Sequence, residues 1–370
     1  MKKVASLFLA VLMIFTVAVT AFAAPNKKQT EIINEYNIVR LEEIAGENGK
    51  SADPTIIILS EEELLEQGEN VKDLFNKAEM LYVLTDMSNS AIQRVCNLPA
   101  LVSSDDVQDS KFATAITKDS NGNYAFSNVS ALYVDTTTNS VAEENFVIPE
   151  TNKVYDGIEA VLKNTEKKPD KVKNSVMRMQ ADDFDAHAND SAVVYDTQGN
   201  RIGTMGYTAY WYKILKSGSN RIFDVITVAT FAPDFGYKCA KMSVYLGTNK
   251  ANHEVLEAAN IVSNGESTTH SISLSAQKKG ITGGGSTSWT YTVDAQTVTK
   301  QFDMQTNDRT WIFKPKNAGN GDAWIEEPGI RMCATQERCY TTVTLSCPFV
   351  TILGIELNEN TLSRAWYIDY

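Results

Sequence analysis

The sequence predicts an α+β protein in which a small N-terminal α/β domain precedes an elongated, all-β, sandwich-like domain. Before residue 165, short continuous apolar runs alternate with helical patterns, which is typical of strand–helix–strand units. From residue 191 onward, strand-like segments follow one another at short spacing, with turn residues between them. We expect the domains to span residues 24–164 and 191–370, joined by a linker at residues 165–190.

The first 23 residues have the organisation of a secretory signal peptide. Lys2 and Lys3 supply positive charge, Val4–Ala18 is uncharged and apolar, and Ala21-Phe22-Ala23 is a small-residue cleavage pattern. The apolar stretch is shorter than the ~20 residues that a membrane-spanning helix needs. We therefore expect cleavage near Ala23 and a secreted, extracellular protein, with a transmembrane anchor as the alternative.

The overall charge is acidic, with 46 acidic and 34 basic residues and a formal net charge of −12. Removal of the signal peptide takes away Lys2 and Lys3 and makes the chain more acidic still. Because nucleic-acid binding relies on clustered lysine and arginine, this balance argues against a nucleic-acid partner. It is compatible with a soluble exported protein.

Five cysteines are present, and Cys333, Cys339 and Cys347 lie close together in the sequence. An oxidising exterior would permit one disulfide among these three. Free buried thiols are the alternative. A zinc site is disfavoured, because the chain has no CxxC pair and no histidine near the cluster.

Two buried strands, Thr55–Leu59 and Met80–Leu84, begin the predicted α/β domain. Between them, Ser60 and Glu63 have the spacing of a helix capping box. A parallel pair of strands is the arrangement that this order favours. Neither glycine fingerprint of a nucleotide site follows the first strand, so a nucleotide-binding function is not supported. Further elements are a helix at Ser90–Val95, a strand at Val129–Val134 and a helix at Val154–Leu162.

The predicted linker contains the charged segment Thr165–Lys173, which has Pro169 and little apolar content. The β half follows, with strands predicted at Ser191–Tyr195, Ile202–Leu215, Arg221–Phe231, Ala240–Leu246, Trp311–Lys314 and Tyr340–Leu345.

The second of these strands is rich in aromatic residues, namely Tyr207, Tyr210, Trp211 and Tyr212. They are candidates for an exposed surface that binds lipid headgroups or sugars. As core aromatics they would need no binding function, and the sequence leaves both interpretations open.

Residues 268–296 are predicted to form a β-hairpin with one apolar and one hydroxyl-rich face. Ile272, Leu274 and Ala276 alternate with serines in the first arm. In the second arm, Trp289, Tyr291 and Val293 alternate with Thr290, Thr292 and Asp294, and a glycine-rich turn with Lys278 and Lys279 joins the arms. Each arm has about ten residues, close to the ~9–11 that a tilted strand needs to cross a bilayer.

Such a hairpin suggests insertion into a membrane. In lipid its edges can be satisfied only if the sheet closes, and one hairpin from each of several copies would close it. The apolar faces would meet lipid and the hydroxyl faces would line a water-filled lumen. Trp289 and Tyr291 would lie at the membrane interface, and Lys278 and Lys279 at the crossing tip. The alternative is an ordinary hairpin of a secreted sandwich, with one face on the core and one in water.

The C-terminal half has a strand meander at Tyr207–Phe231, a Ser/Thr/Gly-rich segment at Thr268–Gln296 and the strand motif Trp311-Ile312-Phe313. This layout resembles bacterial β-pore-forming toxins of the leukocidin/haemolysin type, and the alternating hairpin is similar to that of aerolysin-like toxins. The candidate stem is shorter than a typical leukocidin stem, and the N-terminal domain has no counterpart in the simple family members. The resemblance implies a haemolysin-like protein whose partners are a target membrane or surface receptor and other copies of itself.

No catalytic signature is present, so we expect neither enzymatic activity nor a cofactor. None of His187, His253 and His270 lies in an HExxH motif or accompanies a GxSxG serine. The oxygen-rich cluster Asp182, Asp183, Asp185, Asn189 and Asp190 lacks the spacing of an EF-hand, and a solvated acidic linker is favoured over a calcium site. Two other functions remain open: a secreted non-enzymatic binding protein that uses a β-sandwich face, and a hydrolase whose site the sequence does not reveal.

Overall fold

The structure is a computed structural model that describes part of the chain in detail. The described residues are 32–33, 35–46, 55–106, 110–118, 122–134, 150–165, 173–174, 184–278, 280–281, 284–303 and 308–370. The predicted signal peptide and most of the predicted linker lie outside these residues. Within the described part, no helix is both long enough and apolar enough to cross a bilayer.

The N-terminal half mixes short helices and strands. Its elements are β1 (Ile38–Arg40), α1 (Leu41–Gly46), β2 (Ile56–Ser60), α2 (Glu61–Gln67), α3 (Val71–Leu74), β3 (Met80–Leu84), α4 (Asn89–Cys96), β4 (Val102–Ser103), β5 (Lys111–Lys118), β6 (Tyr124–Val134), α5 (Glu150–Thr165) and β7 (Lys173–Asn174).

The C-terminal half consists of strands. They are β8 (Ala186–Asp196), β9 (Arg201–Ser217), β10 (Asn220–Pro233), β11 (Tyr237–Cys239), β12 (Met242–Gly247), β13 (His253–Ala258), β14 (Ser263–Asn264), β15 (Thr268–Leu274), β16 (Thr287–Val293), β17 (Gln296–Asp303), β18 (Asp308–Pro315), β19 (Trp324–Glu326), β20 (Gly329–Ala334), β21 (Arg338–Cys347), β22 (Phe349–Thr351) and β23 (Asn360–Asp369).

This combination of a small helical region and a large β-sandwich-like body confirms the predicted α+β class. The capping box at the start of α2 is present: Glu63 N donates to Ser60 Oγ at 3.1 Å, and Ser60 N donates to the Glu63 carboxylate at 2.7 Å. Strands β2 and β3 pair in parallel, as the strand–helix–strand order predicts.

One sheet, here called the central sheet, extends through both halves of the chain. Its order is β1-β2-β3-β5-β6-β8-β9-β10-β20-β13, with β19 added beside β10. Strands β6 and β8 lie on either side of α5 in the sequence and pair in parallel from Ser127↔Asn189 to Val134↔Asp196. The segment predicted as the linker therefore precedes and enters β8 of a continuous sheet, since residues 186–190 already belong to that strand.

A second, antiparallel sheet packs on one face of the central sheet and completes a sandwich. This outer sheet has the order β14-β17-β18-β12-β21-β23-β4. Trp366 Nε1 in β23 donates to Tyr207 Oη in β9 at 2.8 Å, and Arg364 Nε lies 2.8 Å from Asp190 Oδ2 in β8. The largest buried cluster includes Trp211 and Trp311 between these sheets, and it continues through the central sheet to the side chains on its other face.

The opposite face of the central sheet is covered by α5 and by a small third sheet of order β15-β16-β7. Asn164, near the end of α5, donates from Nδ2 to Ser191 Oγ at 2.7 Å, and its carbonyl accepts from Thr208 Oγ1 at 3.2 Å. Among the described residues, the hairpin β15–β16 is an outer layer on this side, since the residues on its other face are exposed.

Candidate functional site

The predicted hairpin is a single antiparallel ribbon in the structure, but its strands have seven residues each and not the predicted ten or so. Gln296, the last residue of the predicted hairpin, already belongs to β17 of the outer sheet. Strands β15 and β16 pair from Thr268↔Val293 to Leu274↔Thr287. In the described part of the chain, the only further strand of this sheet is β7, which pairs with Thr287 and Ser288. Side-chain contacts, and not strand pairing, therefore hold the ribbon against the central sheet.

The two faces of the hairpin have opposite environments. Five apolar side chains are at most 5% exposed and belong to the main core: Ile272, Leu274, Trp289, Tyr291 and Val293. The side chains between them are solvent-exposed hydroxyls, namely Thr269, Ser271, Ser273, Thr290 and Thr292. A close approach at Gly329 of β20 accommodates the Trp289 ring, because a Cβ at this glycine would lie 2.8 Å from Trp289 Cη2.

The turn end of the hairpin is fastened to β13 and β20. The Glu257 carboxylate accepts from the backbone N–H groups of Ser275 and Ala276, at 2.5 and 2.7 Å. Lys278 Nζ forms an ion pair with Glu254 at 3.4 Å. Ala276 is half-buried just beyond β15, and Lys279 lies outside the described residues.

A buried arginine links the turn to the central sheet. Arg331 Nη1 donates to the carbonyl of Gly285 at 2.9 Å. Its Nε and Nη2 bind both oxygens of Asp224 at 2.7 and 2.8 Å, in a fully buried, bidentate ion pair. Burial raises the pKa of the Asp224 carboxyl, and the arginine opposes that rise. The hairpin's turn thus depends on an ion pair that water does not reach.

A second polar contact lies under the middle of the hairpin. Tyr291 Oη donates to the Ile325 carbonyl at 3.2 Å and to the Glu326 carboxylate. Gln296 Nε2 donates to Glu326 Oε1 at 2.8 Å, and Trp289 Nε1 donates to the Glu327 carbonyl at 3.3 Å. Burial raises the pKa of Glu326 to about 8, although the hydrogen bonds from Tyr291 and Gln296 partly lower it.

The four predicted surface-binding aromatics are all buried in the folded chain. Tyr207 contacts Trp366 of the outer sheet. Tyr212 lies directly opposite Asp224 in the β9–β10 ladder, so it shares the face that the hairpin covers, and Tyr210 shares that face two residues earlier. In this structure the four rings are therefore core aromatics, and none of them lies at the surface, where a ligand could contact it.

The other candidate sites do not come together either. Asp190 pairs with Arg364, and Asp185 Oδ2 accepts from Lys213 N, while Asp182 and Asp183 lie outside the described residues. All five cysteines are buried free thiols, so the cysteine cluster holds no disulfide in this structure. Among the described residues, no group of three or more His, Cys, Asp or Glu side chains suits a metal ion.

Sequence reasoning missed Asp224, Glu326 and Arg331, the buried ionisable side chains beneath the hairpin. A signal was available for two of them, because Asp224 lies between Phe223 and Val225 and Arg331 between Ile330 and Met332. A charged side chain inside an apolar strand is rarely buried without a partner. Their pairing with each other, however, depends on non-local strand register.

Comparison with known proteins gives weak structural likenesses. No family model and no curated protein matches the chain. Clostridium perfringens delta-toxin is similar with a TM-score of 0.31 and 10% identity, over 50% of this chain and 89% of the toxin. The membrane-inserted form of Clostridium perfringens NetB toxin is similar with a TM-score of 0.25 and 8% identity, over 50% of this chain and 95% of the toxin. The C-terminal domain of the Streptococcus agalactiae BspA polypeptide is similar with a TM-score of 0.24 and 9% identity, over 54% of this chain and 79% of that domain. Likenesses of this size transfer no function to this chain.

Proposed function

We propose that this chain is a secreted, membrane-acting protein whose hairpin β15–β16 leaves the body and assembles with those of other copies into a β-barrel pore. The observation that carries the proposal is the ribbon's construction. It has one apolar and one hydroxylated face, and it forms an outer layer held by side chains and not by strand pairing with either large sheet. Neither catalysis nor a cofactor is part of the proposal.

The apolar side chains of the hairpin would keep an apolar environment in such a move. Each large apolar side chain contributes roughly 1.5–3 kcal/mol when it is removed from water. The hairpin's five apolar side chains would lose contact with the core but would then contact lipid, which is equally apolar. The edge of β15 that pairs with no strand in the described part of the chain would gain strand partners from neighbouring copies, as a closed barrel in lipid requires. Its hydroxyl face would line the aqueous lumen.

The test is release of an encapsulated dye from lipid vesicles, together with the size of the membrane-bound species on a denaturing gel. We expect leakage that rises steeply with protein concentration, and oligomers that resist mild detergent. Intact vesicles over a broad range of lipids and pH would contradict the proposal.

A second candidate function is that of a secreted, non-enzymatic binding protein that uses a β-sandwich face. The observation that favours it is the near-complete burial of the hairpin's apolar side chains in the main core. For a static third layer, amide hydrogens of β15 and β16 would exchange only on global unfolding. Exchange of these strands well before the central sheet would instead favour the pore.

A further inference from the structure

Exposed apolar side chains are concentrated at one place on the surface. The described residues include eight exposed large hydrophobic side chains, and four of these lie in two adjacent turns: Phe235, Ile352, Leu353 and Ile355. Phe235 is 88% exposed and Leu353 is 84% exposed. The other four, Leu65, Leu101, Tyr133 and Val262, are separate in the sequence. Single exposed hydrophobic residues need no explanation, whereas a cluster marks an interaction site.

Backbone hydrogen bonds place the two turns side by side. Strands β11 and β22 pair from Tyr237↔Thr351 to Cys239↔Phe349. Beyond that ladder, Ile352 N donates to the Gly236 carbonyl at 3.0 Å. Gly236 and Gly354 have φ values of +105° and +86°, which only glycine adopts readily and which turn the chain tightly at each end. We call the four side chains on these turns the apolar tip.

The base of the apolar tip is well fixed. Gly236 N donates to Asn320 Oδ1 at 2.6 Å, and Gly321 N donates to the Tyr237 carbonyl at 2.9 Å. Cys239 and Phe349 are fully buried directly below. The exposed side chains therefore project from an ordered support, and their exposure does not come from a loose loop.

We propose that the apolar tip inserts into the interfacial layer of a zwitterionic lipid bilayer and is the first membrane contact of this protein. The side chains project outward from two turns, and a fluid apolar phase can surround such a convex shape without a preformed groove. The charges nearest to these turns in the sequence have no positive excess, with Lys238 and Lys241 against Asp234, Glu356 and Glu359. Asp234 pairs with Arg201 at 3.0 Å. Lys241 and Glu359 pair at 3.8 Å. Anionic lipid is therefore not required.

The apolar tip is also connected to the hairpin. Lys316 N donates to the carbonyl of Ala295, just after β16, at 3.0 Å, and five residues later Gly321 N binds Tyr237 of β11. One short connection thus contacts both the foot of the hairpin and the base of the apolar tip. Binding through the tip would bring the hairpin's foot close to the bilayer. This role rests on the proposed membrane action, although it does not require that the hairpin inserts.

The test is sedimentation with phosphatidylcholine vesicles, comparing the wild-type chain with the double variant Phe235→Ser/Leu353→Ser. We expect the variant to bind at least about tenfold more weakly, since two large apolar contacts are lost. The matched control is Leu65→Ser/Val262→Ser, which removes two exposed apolar side chains elsewhere and should bind like the wild type. Thermal unfolding should be nearly unchanged in both, because the altered side chains are exposed.

Several results would overturn the proposal. These are unchanged binding of the tip variant, equal loss in the control, no wild-type binding to phosphatidylcholine, or binding only to anionic vesicles in a salt-sensitive manner. A wild-type dimer in solution that the tip variant abolishes would assign the surface to a second copy instead. Tip-dependent binding without dye release would support the apolar tip while contradicting the pore, so the two proposals fail separately.

Discussion

At the residue scale, the distinctive feature is a set of buried ionisable side chains directly beneath a surface ribbon. Glu326 contacts Tyr291 and Gln296, and Arg331 contacts Asp224 and the carbonyl of Gly285. Buried charges of this kind are costly unless they are paired, and replacing them with apolar residues often stabilises a protein. Because these side chains bind the hairpin directly, the stability of its contacts with the body depends on their protonation and on single substitutions.

Glu326 makes stability depend on pH on the alkaline side. Its folded-state pKa is about 8, above the ordinary 4.5, because burial disfavours the carboxylate. The stabilisation from the protonated side chain is therefore fully present below about pH 4.5 and is lost as the pH rises through about 8. We expect the melting temperature to fall between pH 6 and pH 9, and Glu326→Gln to flatten that fall in differential scanning calorimetry.

The control for this measurement is Glu266→Gln, which alters an exposed glutamate and should leave the pH dependence unchanged. An identical slope for wild type and Glu326→Gln would show that this carboxyl is not the titrating group.

Arg331→Met should be strongly destabilising, because it leaves the Asp224 carboxylate buried without its arginine. We expect a loss of about 3–5 kcal/mol in the free energy of unfolding, measured by urea denaturation. The double variant Asp224→Leu/Arg331→Met should recover most of this loss. It should still exchange hairpin amides faster than the wild type, since the bond to the Gly285 carbonyl is gone. Wild-type exchange in the double variant would show that this contact does not restrain the turn.

At the element scale, local patterns in the sequence predicted local structure well. The period-2 alternation around a glycine-rich turn predicted the ribbon that β15 and β16 form, and Ser60 with Glu63 predicted the start of α2. The aromatics of β9 were ambiguous because both faces of this strand are covered, one by the outer sheet and one by the hairpin. Which layer covers a strand depends on non-local pairing, and composition alone does not reveal it.

The same limit explains why the continuity of the central sheet was not predicted. Strands β6 and β8 are neighbours in the sheet, although more than fifty residues separate their first residues in the sequence. A charged, proline-containing segment between them is typical of a linker between domains, but it is equally compatible with a crossover within one sheet.

The fit of Trp289 against Gly329 gives a prediction for the hairpin as an element. In Gly329→Ala the new methyl group would lie 2.8 Å from the indole ring and 3.1 Å from the Val225 carbonyl. We expect a loss of about 1–3 kcal/mol, with faster amide exchange concentrated in β15 and β16. Adding Trp289→Phe should restore part of the loss, because the smaller ring leaves room. If Gly329→Ala lowers the free energy of unfolding equally with and without Trp289→Phe, the new methyl group does not clash with the indole ring.

At the scale of the whole molecule, the described residues form three layers. The sandwich between the central and outer sheets contains Trp211, Trp311 and Trp366, and the ion pair of Asp190 with Arg364 ties its two sheets together. The hairpin sheet is added on the other face. Its departure would uncover Tyr210 and Tyr212 but would break no strand pairing within this sandwich, and the proposed pore requires that the sandwich stays folded.

The most direct test of the central claim is dye release by a chain whose hairpin is covalently held in place. Lys278→Cys and Glu254→Cys replace an ion pair between the hairpin's turn and β13, and a short, reducible linker can join the two new thiols. Cys333 lies directly opposite Glu254 in the β13–β20 ladder, so Cys333→Ala is added to both linked variants. The other four native cysteines are buried and should not react. Arg338→Cys/Asp369→Cys, a surface pair between β21 and β23, is the matched control. We predict no leakage from the linked hairpin variant, full leakage after reduction, and leakage from the linked control throughout; leakage from the linked hairpin variant would contradict the account.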